Sequence, residues 1–241
     1  MRSWAVRARA LVTPARRRGT EILDDPAIDA NVVRRSLADV ARANALFGGR
    51  RAVCRELATA LTASNGAPLT LLDVGTGLGD VPAAARALAR ARGVALRTIA
   101  LEASAALAGI ARSPDLPMVR GTALALPFRD RSVDIVICSQ LLHHFDDGAA
   151  AAVLRELDRV ARRCVIVSDL RRSWLAAGGI WLASWPLFFH PVSRHDGVLS
   201  VLRGYTVPEL RTLVQQATGH TARTRTRVGF RIASAWSPTE V

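Results

Sequence analysis

Leu71-Leu72-Asp73-Val74-Gly75-Thr76-Gly77-Leu78-Gly79 is the stretch on which the fold turns. A short apolar run ends in an acid, passes through closely spaced glycines and gives way to a helical pattern, which reads as strand, tight loop and helix. The glycines let the backbone turn sharply and let a ligand lie against it, where any Cβ would obstruct both. A nicotinamide or flavin fingerprint would want a third glycine at position 80, but Asp80 stands there. A carboxylate at that helix mouth would repel a pyrophosphate, so a dinucleotide is not the expected ligand.

Outward from this loop, short apolar runs alternate with helical stretches, the pattern of βα units on a parallel sheet covered on both faces. Leu69 to Val74 is the first strand and Ala95 to Leu101 the second. Glu102 follows the second at the place where an acid accepts both hydroxyls of a ribose. A short third strand, Met118 to Val119, opens into Gly121-Thr122-Ala123-Leu124-Ala125-Leu126-Pro127-Phe128. The fourth, Val133 to Cys138, opens into Ser139-Gln140-Leu141-Leu142-His143-His144-Phe145, and Cys164 to Val167 is the fifth. All these loops follow the carboxyl ends of neighbouring strands, where open α/β sheets bind ligands. Val153, Leu157, Val160 and Ala161 mark a helix before the fifth strand, and Thr206-x-x-Glu209 is a capping box that starts another. Thr221 to Arg227 and Phe230 to Ala233 read as antiparallel strands at the sheet edge. Before the sheet, Asp25-Pro26 predicts a helix start, Gly48-Gly49 its end, and Ser64-Asn65-Gly66 the end of a second helix.

With these motifs placed, residues 67 to 235 resemble the class I S-adenosylmethionine-dependent methyltransferases, in particular the small-molecule branch with quinone C-methyltransferases and bacterial natural-product O-methyltransferases. The resemblance implies that Asp73, Gly75 and Gly77 hold the methionine end of S-adenosylmethionine and that Glu102 holds its ribose. It implies that the loop at Ser139 and Gln140 closes over the cofactor. Family members often carry an aspartate that reaches the adenine amine where this chain has Thr122, so the Ala123 backbone is the expected substitute. The implied architecture is a Rossmann-like α/β fold. It has a mainly parallel seven-stranded sheet with an antiparallel edge strand, an N-terminal helical extension over residues 21–66, and a methyltransferase domain over 67–241.

Composition narrows the class further. Half of the 241 residues are hydrophobic and 22% are charged, a balance for one globular domain with appendages. Cys54, Cys138 and Cys164 are unpaired by spacing, which fits a reducing, cytoplasmic compartment and excludes a disulfide framework or zinc finger; no metal is expected. The net charge is +13, carried by arginine with no lysine, a pattern that also arises from a GC-rich genome. Arg2, Arg7, Arg9, Arg16, Arg17 and Arg18 precede the first acid, so without residues 1–20 the excess falls to +7. Those residues read as a disordered basic tail, with a transit peptide as the alternative. The longest apolar run, Leu175 to Phe189, is too short to span a membrane and holds Pro186.

A basic chain can also seek nucleic acid. The fourth-strand loop, however, lacks the proline-aromatic residues that stack a flipped base in amino-methyltransferases, and Cys138, inside an apolar strand, reads as inert core rather than a nucleophile. An RNA methyltransferase or nucleic-acid-binding protein is therefore the minor reading. A small aromatic or polyketide-like acceptor is the major one, with O-methylation favoured and quinone-type C-methylation as its alternative. A phenol acceptor gains from a histidine base, and His143 and His195 are the candidates. Residues 174–203 gather Trp174, Trp181, Trp185, Phe188 and Phe189 in a chain otherwise poor in aromatics, and are expected to form a lid over the acceptor.

Overall fold

The computed structural model describes residues 13–25, 27–63, 67–104 and 116–238. Helix α1 (Ala30–Leu46) starts four residues later than Asp25-Pro26 predicts. Its cap is Asp29, whose carboxylate accepts from Asn31 N at 2.9 Å and Val32 N at 3.3 Å. Asp25 instead closes a local turn onto Ala27 N, and Pro26 lies outside the described residues. Gly48, at φ +79°, turns the chain into α2 (Gly49–Thr62), and the expected Ser64-Asn65-Gly66 stop also lies outside the described residues.

The quoted apolar run is β1 (Leu69–Val74), followed by α3 (Asp80–Ala91), β2 (Leu96–Glu102), β3 (Met118–Arg120) and β4 (Val133–Ser139). After α4 (Asp147–Val160) comes β5, which runs from Ala161 to Leu170 and is longer than the predicted Cys164 to Val167. Charged Arg162 and Arg163 at one end and Asp169 at the other conceal the apolar core from a periodicity reading. The strand order is β3-β2-β1-β4-β5-β7-β6, with β6 (Arg223–Arg227) and β7 (Arg231–Trp236) completing seven strands. Strands β1 to β5 pair in parallel. The antiparallel strand is β7, which lies between β5 and β6 at that end of the sheet.

Helices cover both faces. Val53, Leu57 and Leu61 of α2 with Val81 and Ala85 of α3 bury Leu71, Ile135 and Ile137 on one side. On the other, Val153, Leu154 and Leu157 of α4 with Leu210 and Val214 of α7 (Val207–Thr218) bury Leu72, Val74 and Val136. Two-sided burial explains why successive apolar residues in β1 and β4, such as Leu71-Leu72 and Ile135-Val136-Ile137, do not alternate with polar ones. The sheet grows outward in opposite directions from β1 and β4, so their carboxyl ends part at a switch point, the place for a ligand crevice.

Over that crevice sit α5 (Trp174–Ser184) and α6 (Pro191–Arg203), packed on one another through Ala176, Ala177, Val201 and Leu202. Residues 13–24, most of which the sequence assigns to a disordered tail, lie across the same end as an ordered strap. Arg17 N donates to Leu202 O at 3.0 Å, and Pro14 O accepts from Arg172 Nε at 2.7 Å. Arg16 stacks 4.0 Å over the Tyr205 ring while donating to Tyr205 Oη, Arg203 O and Phe145 O. The arginines that suggest a solvated tail are in part structural ligands of the fold.

Candidate functional site

A cavity of about 810 Å³ opens at the carboxyl ends of β1, β2, β4 and β5, between α1, the strap and the α5–α6 pair. Its floor is the glycine loop. Gly75 takes φ +74°, and a Cβ there would fall 2.8 Å from the Leu141 side chain; Gly77 takes φ +55° and faces open cavity, with Leu37 at 4.0 Å the nearest atom. Both positions need glycine, one for packing beneath the loop and both for the left-handed backbone.

Asp73, fully buried at the end of β1, turns into this cavity, and its Oδ1 has no partner among the described residues. Burial pushes its carboxyl up to about 7, with the negative charges of Asp80 and Glu102 adding to the effect. Glu102 closes the loop from β2: Oε2 accepts from Gly77 N at 3.3 Å, and Oε1 accepts from Ala103 N and Ser104 N. Ser139 and Gln140 line the opposite wall. Gln140 adopts φ +53°, which is uncommon for a residue with a side chain, and its amide bridges Asn44 of α1 and Arg231 of β7. Arg231 is buried, and desolvation pushes its guanidinium down to about 10.

The other half of the cavity is built around His143. This residue sits in the short 3-10 turn Leu142–His144 after β4. Its backbone N donates to Asp169 Oδ2 at 3.0 Å and its Nδ1 lies 2.6 Å from Asp169 Oδ1. A buried carboxylate at that distance fixes the proton on Nδ1 and leaves Nε2 as the free nitrogen. Nε2 is buried without a hydrogen-bond partner, 3.7 Å from Glu21 Oε1 of the strap. Burial alone would raise the Asp169 carboxyl, but the His143 imidazole holds it below its ordinary value. Glu21 is raised, chiefly by burial, although Ser200 Oγ donates to it at 2.8 Å and Arg203 lies 3.4 Å away.

Glu21, His143 and His144 bring one ligand atom each within 4.8 Å of one another, which makes them the group that could hold a metal among the described residues. The Arg203 guanidinium beside Glu21 already supplies the positive charge that a cation would bring. The arrangement suits proton transfer better than metal binding.

Of the sequence-predicted residues, Asp73, Gly75, Gly77, Glu102, Ser139, Gln140 and His143 meet at this cavity. Thr122 and Ala123 do not line it. Their loop turns down onto α4, where Leu126 N donates to Glu156 and Arg159 donates to Leu126 O. His195 is also outside: it is 58% exposed on α6, while the adjacent Asp196 faces inward and accepts from Ile22 N and Leu23 N of the strap. Helical neighbours point about 100° apart, and here Asp196 takes the inward direction and His195 the outward one. Sequence reading missed Glu21, Asn44, Asp169 and Arg231. A signal existed for Asp169, which ends an apolar strand as Asp73 does.

No match to the sequence is found among curated proteins. Solved structures share the fold. Magnesium protoporphyrin IX methyltransferase from Synechocystis PCC 6803 with bound SAH is 18% identical, covering 79% of this chain and 83% of that one, with a TM-score of 0.54. The same enzyme with bound SAM gives 16%, 88%, 99% and 0.54. A SAM-dependent methyltransferase from Aquifex aeolicus gives 16%, 88%, 100% and 0.56. Residues 72–166, which run from β1 through β5 and include the glycine loop, Glu102 and His143, match the family described as "Methyltransferase domain". Residues 72–166 therefore form a methyltransferase domain, set in a fold that the chain shares with S-adenosylmethionine-dependent methyltransferases.

Proposed function

We propose that the chain transfers the methyl group of S-adenosylmethionine to a hydroxyl oxygen of a flat, apolar small molecule held beneath α5 and α6. The observation that carries this reading is the unpartnered Nε2 of His143, buried beside Glu21 in a chamber that Phe145, Leu175, Ala176 and Ile180 also line. The cofactor fits the other half: an unpartnered carboxylate oxygen at Asp73, glycines at Gly75 and Gly77, and an acid at Glu102. Bound there, it supplies an electrophilic methyl on a sulfonium. The chain's own part is alignment, exclusion of water and proton handling. His143 receives the acceptor's proton on Nε2, and Asp169 holds the ring in the needed tautomer and stabilises the imidazolium. The strap and lid keep water from the reacting oxygen.

A nucleic-acid acceptor is disfavoured because Arg16, one of the tail arginines, is already engaged within the fold. The Cys138 thiol is also fully buried, and burial with the nearby Asp169 and Asp73 raises it well above an ordinary thiol, so it is no base-attacking nucleophile. The three free cysteines support a cytoplasmic setting, and the chamber's apolar walls a biosynthetic role.

The test is a screen of phenols, quinones and fatty acids with labelled cofactor, with the added methyl located by mass spectrometry. A methyl on oxygen is expected; one on carbon overturns the oxygen assignment, and one on RNA overturns the small-molecule reading. His143→Ala should lower kcat by roughly 10²-fold with cofactor affinity intact. His195→Ala should leave kcat within about twofold, because a base must lie within hydrogen-bond reach of its proton.

A further inference from the structure

From Ser173 to Ser193 the chain holds no Asp, Glu, Lys or Arg, although 22% of its residues are charged. This stretch is not buried. Trp174, Leu175, Trp181, Leu182 and Trp185 lie along the outer side of α5 and its end, and Phe188 stands in the loop beyond. Leu175 is 68% exposed, Leu182 66% and Phe188 88%. The helix spacing i, i+1, i+7, i+8, i+11 puts the five on one stripe. Phe188 takes φ +52°, a backbone conformation that costs energy for a residue with a side chain, and its ring is held in solvent. The inner side of α5 has its partner already, since Ala176 and Ala177 pack on Val201 and Leu202. The outer stripe is thus a second apolar surface, of the kind that marks an interaction site.

Its rim carries arginine. The Arg194 guanidinium lies 3.7 Å over the Trp185 ring, while that of Arg42, paired with Asp39, lies 5.1 Å from the centre of the buried Phe189. Leu175 belongs to both surfaces: it is exposed on the stripe and lines the chamber that holds His143 Nε2. The stripe and the acceptor site are therefore one continuous apolar path.

We propose that this face docks on an anionic lipid surface and that the methyl acceptor is a membrane-resident amphiphile, which enters the chamber past Leu175. The second clause rests on the chamber being the acceptor site, as proposed above. Tryptophan and leucine on an exposed helix, with phenylalanine in the loop beyond and arginine at the border, match the lipid–water interface, where amphipathic rings settle at headgroup depth. A chain of net charge +13 is drawn to anionic lipid, whereas a second copy would bring the same charge and the same arginine rim against it. Among the described residues no helix is long and apolar enough to cross a membrane, so the attachment is peripheral.

The full chain should float with vesicles of phosphatidylcholine and phosphatidylglycerol, and far less with phosphatidylcholine alone. Its tryptophan emission should shift to the blue and be quenched by brominated acyl chains. Leu182→Ser with Phe188→Ser should weaken partitioning at least about tenfold, as expected for two large apolar side chains withdrawn from lipid. Both side chains are exposed, so cofactor affinity should be unchanged, which shows that the variant is folded. Failure to float with anionic vesicles overturns the docking, as does equal partitioning of the double variant. A self-association that the same substitutions abolish, in a chain that ignores vesicles, assigns the face to a second copy and also overturns it. For the acceptor, methylation of a long-chain phenol should rise when anionic vesicles present it to the parent and not to the double variant. A parent that floats but methylates only water-soluble phenols, at rates indifferent to vesicles, overturns the lipid acceptor while leaving methyl transfer in the chamber standing. A parent that methylates nothing overturns the chamber reading, and flotation still decides the docking.

Discussion

Asp73 shows how a ligand site is bought with stability. Its folded-state value of about 7 lies well above the ordinary 3.8 because burial and the charges of Asp80 and Glu102 oppose ionisation. A group whose folded value is raised holds its proton more tightly in the native state. Its contribution to stability is therefore fully present below about pH 4 and lost as pH rises toward 7. Without cofactor, Asp73→Asn should unfold at a higher temperature than the parent at pH 8, by several degrees at roughly 2–4 °C per kcal/mol. The gap should close toward pH 5. The positive cofactor favours the ionised carboxylate, so the same variant should bind it at least about tenfold more weakly. Thermal unfolding at both pH values with and without cofactor checks both halves; a lower unfolding temperature for the variant at pH 8 would refute the account.

At the scale of elements, the site depends on a corner. The turn between β6 and β7 fits against the junction of α1 and α2: Gly229 has φ +76°, and a Cβ there would stand 1.9 Å from Phe47 O. Phe47 lines the cavity and Arg231 begins the strand after the turn, so the corner sets two walls of the cofactor half. Gly229→Ala should cost the left-handed strain of about 1–3 kcal/mol and also part the turn from α1, lowering both melting temperature and cofactor affinity. Gly219→Ala is the control, with φ +79° and no atom within 4 Å of the added carbon; it should cost the strain alone and leave the cofactor bound as before. Equal losses for the two would mean that the corner carries no load. The same contrast explains what the sequence made legible. The glycine loop, Glu102 and His143 follow strand ends that apolar runs announce, so local pattern locates them. Asn44, Arg231 and Glu21 reach the cavity only through the packing of α1, β7 and the strap, and no spacing rule connects segments so far apart. His195 misleads for the opposite reason, since a histidine beside an acid reads as a reactive pair whichever helix face it occupies.

For the whole molecule, the strap divides the labour of the cavity. Residues 13–24 touch the acceptor half through Glu21, Leu23 and Asp24, while the glycine loop, Glu102 and Gln140 lie beyond its reach. Arg16 is the pin. Its guanidinium pairs with Asp147, donates to Tyr205 Oη and two backbone carbonyls, and stacks on the Tyr205 ring, all while largely shielded from solvent. Hydrogen bonds from a charged donor each stabilise by about 1.5–3 kcal/mol, so losing the group exceeds what one exposed ion pair would cost. Arg16→Ala should therefore free the strap without unfolding the sheet. Limited proteolysis should cut the variant between residues 13 and 24 faster than the parent. The acceptor KM should rise about tenfold as Glu21 loses its position beside His143, and the cofactor dissociation constant should stay within about twofold. A parallel loss of cofactor affinity would show that the strap holds both halves of the cavity together, and the separation of acceptor and cofactor walls argued from the lining residues would be wrong.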